Sequence, residues 1–106
     1  MAWRIIYHEA ALAEADAQPR DIRARLLRFA QLIAEHGFRG LPPSAAKHLR
    51  GDIWELRLTG RDGIARALYL TRSGQRLVIL RVFGKKTQKT PARELELAMK
   101  RAKEIT

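Results

Sequence analysis

The chain contains no cysteine, which excludes disulfides and thiolate metal sites and fits a reducing compartment. Histidine is nearly as scarce: His8, His36 and His48 stand far apart without a pair of carboxylates beside them, so no metal site is expected. Long apolar runs are missing too. Stretches such as Leu77 to Leu80 fall far short of the roughly 20 residues that a membrane helix needs, and Met1-Ala2-Trp3-Arg4 opens no signal-like run. A soluble, cytoplasmic protein with no membrane contact is expected. Acidic residues are outnumbered, 11 against 21 Lys and Arg, which leaves a net charge of +10 and a pI near 11.1. Such an excess favours a polyanionic partner, because neutralised phosphates release their counterions. It does not separate a nuclease from a passive binder, nor exclude an acidic protein partner.

What is present suffices for one modest core. At 106 residues, 46% of them hydrophobic, the chain reads as a single domain spanning 1–106, with two packed layers and no covalent staples. Residues 3–7 read as a first strand and 8–17 as a helix. Pro19 suits the first turn of a second helix, in which Ile22, Leu26, Phe29 and Ile33 recur at helical spacing up to Gly37. Gly40 and Pro42-Pro43 mark a loop, and 44–49 a short turn. Three strands follow, 53–59, 64–71 and 76–83, joined by Gly60-Arg61-Asp62-Gly63 and Arg72-Ser73-Gly74-Gln75. Thr90 can cap a last helix with Pro91 at its first position, and Leu95, Ala98, Met99, Ala102 and Ile105 form its apolar stripe. The order is β-α-α-β-β-β-α, with no repeat or low-complexity segment.

The hairpins decide where the arginines go. If Ser73-Gly74 is a two-residue turn, Arg66 sits opposite Arg81; if the first separator is a four-residue loop, Arg57 sits opposite Arg66. Three arginines then line up across three strands, backed on the other face by Trp54, Leu56, Leu58, Ala65, Ala67, Tyr69, Val78, Leu80 and Val82. That apolar face is the one expected beneath the helices, which leaves the arginines on the open side. Trp54 and Tyr69 are core residues in this register, although a base-stacking role is conceivable for either. An odd loop length would break the row.

Like charges opposed across strands cost stability, so such a row calls for an anion. Guanidinium forks suit phosphate, and the apolar neighbours Ile64, Leu68, Leu77, Ile79 and Phe83 would strengthen the interaction. The alternative is that the arginines are solubilising or paired, with Glu55 diagonal to Arg66 and Asp62 nearby. The cationic segment Phe83-Gly84-Lys85-Lys86-Thr87-Gln88-Lys89-Thr90-Pro91 extends the strand of Arg81 toward a helix N-terminus, itself a favourable place for phosphate; the plainer reading is a solvated charge run.

Three strings in this region, Lys47-His48-Leu49-Arg50-Gly51-Asp52-Ile53-Trp54-Glu55-Leu56-Arg57, Ala65-Arg66-Ala67-Leu68-Tyr69 and Val82 to Pro91, resemble the RelE/ParE toxin superfamily, most closely its phage-derived, HigB-like branch. The resemblance is specific over 47–102 and rests on element order before residue 45. It implies a small α+β domain of RelE-like fold, with a mostly antiparallel twisted sheet and helices packed on one face. It further implies the toxin of a type II toxin–antitoxin pair, an endoribonuclease (mRNA interferase) that cleaves messenger RNA on the ribosome. The substrate's 2′-hydroxyl attacks the neighbouring phosphate, without metal or cofactor, so the enzyme has to position, neutralise and move protons.

By position, the resemblance makes Arg57, Arg66 and Lys86 candidate catalytic residues, and Arg81 joins them through the register argument. Lys47, His48, Lys85 and Lys89 are candidate RNA contacts. A tyrosine that RelE-type enzymes carry after the last basic segment has no counterpart in Thr90-Pro91-Ala92-Arg93, so a base has to come from His48, a lysine or the ribosome. Two alternatives share the scaffold: a ParE-like inhibitor of DNA gyrase and a non-catalytic RNA-binding module. The implied partners are a HigA-like helix-turn-helix antitoxin, the ribosome with its message, and operator DNA reached only through the antitoxin complex.

Overall fold

The structure, a computed structural model, describes residues 2–85 and 89–105. In chain order, β1 (Arg4–Tyr7) is followed by α1 (Glu9–Asp16) and α2 (Arg20–His36), then by β2 (Ala46–Arg50), β3 (Ile53–Gly60), β4 (Gly63–Arg72) and β5 (Arg76–Lys85), and finally by α3 (Ala92–Ala102). The sheet runs β1-β5-β4-β3-β2, antiparallel except for the parallel β1–β5 pair. The α+β class and mostly antiparallel sheet are those expected. One strand was not: residues 46–50 form the edge strand β2 where a turn was expected. Five residues with two charges and a histidine carry too weak an alternation to be read without their partner strand.

The α2 stripe of Ile22, Leu26, Phe29 and Ile33 is buried, together with Ala11 and Ala15 of α1, against Leu56, Leu58, Ala65, Ala67, Tyr69, Leu77, Ile79 and Val82. The other face carries a second, smaller core in which Ala98 of α3 meets Ile53, Leu68, Leu70, Val78, Leu80 and Phe83, with Leu95, Ala102 and Ile105 at its margin. Only α1 and α2 therefore share one face; α3 covers part of the opposite one. Its amphipathic stripe needs an apolar surface, and the register of β5 supplies it there.

That register departs from the expected one in two steps. The turn after β4 holds three residues, with Gly74 at φ 81° and Gln75 at φ 55°, so Arg72 faces Arg76 rather than Gln75. An odd turn swaps the faces of β5: Leu77 and Ile79 point to α1 and α2, Val78 to α3. A bulge at Ile79–Arg81 then restores the parity. Arg81 consequently pairs with Leu68, and Phe83, not Arg81, faces Arg66. The first hairpin keeps the expected pairing, Thr59 to Ile64 and Arg57 to Arg66, and adds Gly60 to Gly63 across a two-residue turn.

Candidate active site

Arg57 and Arg66 are cross-strand partners on the face that α3 only partly covers, yet they differ in kind. Arg57 is exposed, whereas Arg66 is 3% exposed and ion-paired with Glu55, itself 2% exposed. Glu55 lies two residues along β3 from Arg57, diagonal to Arg66, because its direct partner is Leu68. Its other oxygen accepts a hydrogen bond from the Thr90 hydroxyl. Burial holds the Arg66 guanidinium below its ordinary pKa, Glu55 opposes that shift, and neighbouring Arg57 adds to it. The Arg66 Nε is a buried donor without a protein acceptor among the described residues. One guanidinium is thus anchored inside the sheet and a second stands in front of it in solvent, a local excess of positive charge that favours an anion.

Thr90 was expected to cap α3. Instead Pro91 holds the cap position without a side-chain bond, and Thr90 turns to Glu55, where a buried carboxylate is a better acceptor than an exposed helix end is a donor. Beside this contact a cleft of about 500 Å³ opens between β2 and the chain entering α3, lined in part by Lys47, His48, Arg50, Glu55, Lys89 and Thr90. Lys47 is the register partner of Glu55. Lys47, Arg50 and Lys89 are exposed, so three further cations border the cleft. His48 donates from Nε2 to the Gly51 carbonyl at 2.8 Å and packs its ring 5.2 Å from that of Trp54.

Arg81 is placed elsewhere. Its Nε and Nη2 donate to Glu94 at 2.7 and 3.3 Å and its Nη1 to Glu14 at 2.6 Å, and hydrogen bonding to Glu94 is the chief cause that raises its pKa further. Arg101 joins the same cluster, reaching Glu14 at 2.8 Å and the Leu80 carbonyl at 2.9 Å. Glu14 also accepts from the Val82 amide at 3.1 Å. These bonds satisfy the edge of β5 beyond the end of β1 and join α1 to α3 across it. Arg81 therefore spends its donors on structure, and the expected three-arginine row reduces to Arg57 and Arg66.

Lys86 lies outside the described residues, as does the side chain of Lys85. Among the described residues, no group of three or more His, Asp or Glu side chains could hold a metal. Sequence reasoning gave Glu55 only as a possible partner and missed the bond from Thr90. It also placed Trp54 in the core, where the structure leaves it 40% exposed. The missing signal was β2, whose His48 is the register partner of Trp54 at the edge of the sheet.

A family model described as "Phage derived protein Gp49-like" matches residues 13–103. The chain belongs to this family. The Gp49-like chain is also 37% identical over 90 residues, 85% of its length, to the protein of Mycobacterium tuberculosis named "Probable endoribonuclease HigB1", whose own length is covered to 69%; this holds for both the CDC 1551 and H37Rv strain sequences. Among solved structures, a mutant of the E. coli toxin RelE in the free state superposes with a TM-score of 0.64 at 23% identity, covering 100% of both chains. The archaeal RelE of the RelE–RelB complex from Pyrococcus horikoshii OT3 gives 0.62 at 19% identity, covering 79% of this chain and 96% of that one. At those identities the likeness is one of fold, and it identifies the Gp49-like chain as RelE-like in architecture. The family match contains every described candidate site residue from Lys47 to Lys89.

Proposed function

We propose that this protein is the toxin of a type II toxin–antitoxin pair, an endoribonuclease that cleaves messenger RNA engaged on the ribosome and so stops translation. Relationship to an endoribonuclease of the HigB name supports the class. The observation that carries the site is the exposed Arg57 standing opposite the buried, Glu55-held Arg66 beside a cation-lined cleft. In the reaction, the ribose 2′-oxygen forms a bond to the adjacent phosphorus while the bond to the 5′-oxygen breaks, leaving a cyclic phosphate. The 2′-hydroxyl gives up its proton and the departing oxygen takes one.

Arg57 contacts the phosphate and neutralises the charge that grows on its oxygens. Arg66 is a positioning residue that holds Arg57's strand and adds positive potential from beneath. Lys47, Arg50, Lys89 and the Lys85–Lys86 pair bind the flanking backbone. No tyrosine stands between Thr90 and Glu94, so this segment supplies charge and placement rather than proton transfer. An antitoxin partner, which the RelE–RelB complex illustrates for its own chains, is proposed here as a HigA-like helix-turn-helix protein that links the toxin to operator DNA. No helix among the described residues is long and apolar enough to cross a membrane, and we place the toxin in the cytoplasm with its ribosomal target.

Expression without the antitoxin should arrest growth. Primer extension on a translated message should then show cuts that Arg57→Ala removes. Intact message together with relaxed plasmid DNA would instead identify a gyrase inhibitor.

A further inference from the structure

On the face opposite Arg57, α2 ends at His36 and the following turn, Gly37–Gly40, carries Phe38 over Tyr69, with ring centroids 5.9 Å apart and planes 17° apart. Trp3 meets Phe38 edge-on at 5.3 Å. Helical cover stops there. Trp54, on the same face as the buried Leu56 and Leu58, is left 40% exposed at the rim of a cleft of about 310 Å³ lined by Trp3, Phe38, Ala46, Trp54, Tyr69 and Thr71. That volume is at the lower end of small-ligand sites, about 300 Å³. His48 stands against Trp54 at 60°, a tilted contact that does not stack over the indole.

The cleft adjoins the candidate active site across the thickness of one edge strand. Lys47 pairs with Glu55 on the catalytic side and its neighbour His48 with Trp54 on the other, so successive residues of β2 serve the two faces. Exposed Lys47 and Arg50 make this edge strand cationic. A phosphodiester passing over that edge finds charge, and a base attached to it finds an aromatic cavity. This pairing of a cationic track with an aromatic platform is how single strands are bound without base pairing.

Resting on the reading that the protein acts on messenger RNA, we propose that Trp54 and the aromatic cleft behind it form a nucleobase subsite, which holds an unpaired base of the RNA as its backbone crosses the edge of β2. The occupant is a base rather than an apolar protein side chain because the adjoining edge strand carries the exposed cations Lys47 and Arg50, which complement a phosphodiester. Purines are preferred, since their larger π-face covers more of the indole. The subsite fixes the strand outside the reacting phosphate and contributes to affinity, not to the chemical step.

The full-length protein answers this without ribosomes. With Trp3→Phe leaving Trp54 as the sole indole, a short oligoadenylate should quench tryptophan fluorescence more strongly than an oligouridylate. In the otherwise unaltered chain, read by anisotropy of a labelled oligoadenylate, Trp54→Ala should weaken binding about tenfold and Trp54→Phe much less. In cleavage assays Trp54→Ala should raise KM and leave kcat in place. If the oligonucleotide binds equally to wild type and Trp54→Ala without quenching, the subsite is overturned while the nuclease reading stands. If quenching requires purified antitoxin instead, the cleft belongs to the protein partner and the proposal fails. If wild type binds no oligonucleotide and Trp54→Ala leaves KM on ribosome-engaged message unchanged, the subsite is overturned, and the nuclease reading stands or falls on primer extension alone.

Discussion

The two arginines of the site are adjacent in the sheet but call for opposite experimental expectations. Arg57 is exposed and makes no ion pair among those seen for the described residues, so Arg57→Ala should leave the melting temperature within a few degrees, as surface substitutions do, while cleavage falls by about 100-fold or more. Thermal melting and single-turnover cleavage on the same preparation separate the two effects. Arg66→Ala strands the buried Glu55 carboxylate and should cost about 3–5 kcal/mol, so its loss of activity says little about chemistry. Replacing both partners, Arg66→Met with Glu55→Leu, should be less destabilising than either change alone, a coupling that urea denaturation of the four variants reads directly. A double variant less stable than the sum of the singles would show that Arg66 is held by packing, not by Glu55. Glu55 was within reach of sequence reasoning because the first hairpin keeps strict register and the diagonal follows from it. Thr90 was not, since the contact joins residues 35 apart and competes with a good capping position.

At the scale of elements, α3 is fastened by charge as much as by its apolar stripe. Glu14 gathers Arg81, Arg101 and the Val82 amide, and Glu104 of the chain after α3 adds a hydrogen bond from Nε2 of His8, the cap of α1, at 2.6 Å. Burial pushes the Glu14 carboxyl up, but hydrogen bonds from Arg101, Val82 and Arg81 outweigh it and hold the group below its ordinary value of 4.5. The unfolded chain therefore takes up this proton first as pH falls. The stabilisation is complete above the ordinary value and drains away as pH drops through the lower folded one. Glu14→Gln should accordingly lower stability at neutral pH and flatten the acid limb of the stability curve, measured by denaturation at a series of pH values; a wild-type acid limb in the variant would remove Glu14 from the account. On the other side of the sheet, Gly60 lies so close to α2 that an added Cβ would come within 2.6 Å of Ile22 Cδ1 and 2.8 Å of Asp21 Oδ2. Gly60→Ala should cost about 1 kcal/mol as Ile22 shifts.

These elements also show where reading a sequence stops. The α2 stripe, the first hairpin and the apolar strands were legible because each rests on local period and turn chemistry. The bulge at Ile79–Arg81 was not, since it answers to the capping of the β5 edge by Glu14 and Arg101, contacts that span 68 and 21 residues. One extra residue in a turn and one in a strand cancel in parity, so Arg81 returns to the face first assigned to it but two places out of line with Arg66.

For the whole molecule, charge is the property that both readings of the site share. Of the +10 excess, Lys47, Arg50 and Arg57 are exposed and border one side of the sheet, while Arg66, Arg81 and Arg101 are matched by Glu55, Glu14 and Glu94 within the protein. The outward cations, not the total, should set the salt dependence of RNA binding. If these three each neutralise one phosphate of a single strand, the logarithm of the affinity should fall against the logarithm of salt with a slope of about −2. Arg57→Ala should reduce that slope by about 0.7, since it deletes one such contact. Trp54→Ala should weaken binding at every salt concentration without changing the slope, because stacking displaces no counterion. Fluorescence anisotropy titrations over a range of potassium chloride concentrations would test all three values together. A slope of about −4 would mean that the three paired arginines also reach phosphate, which requires their carboxylates to let go on binding.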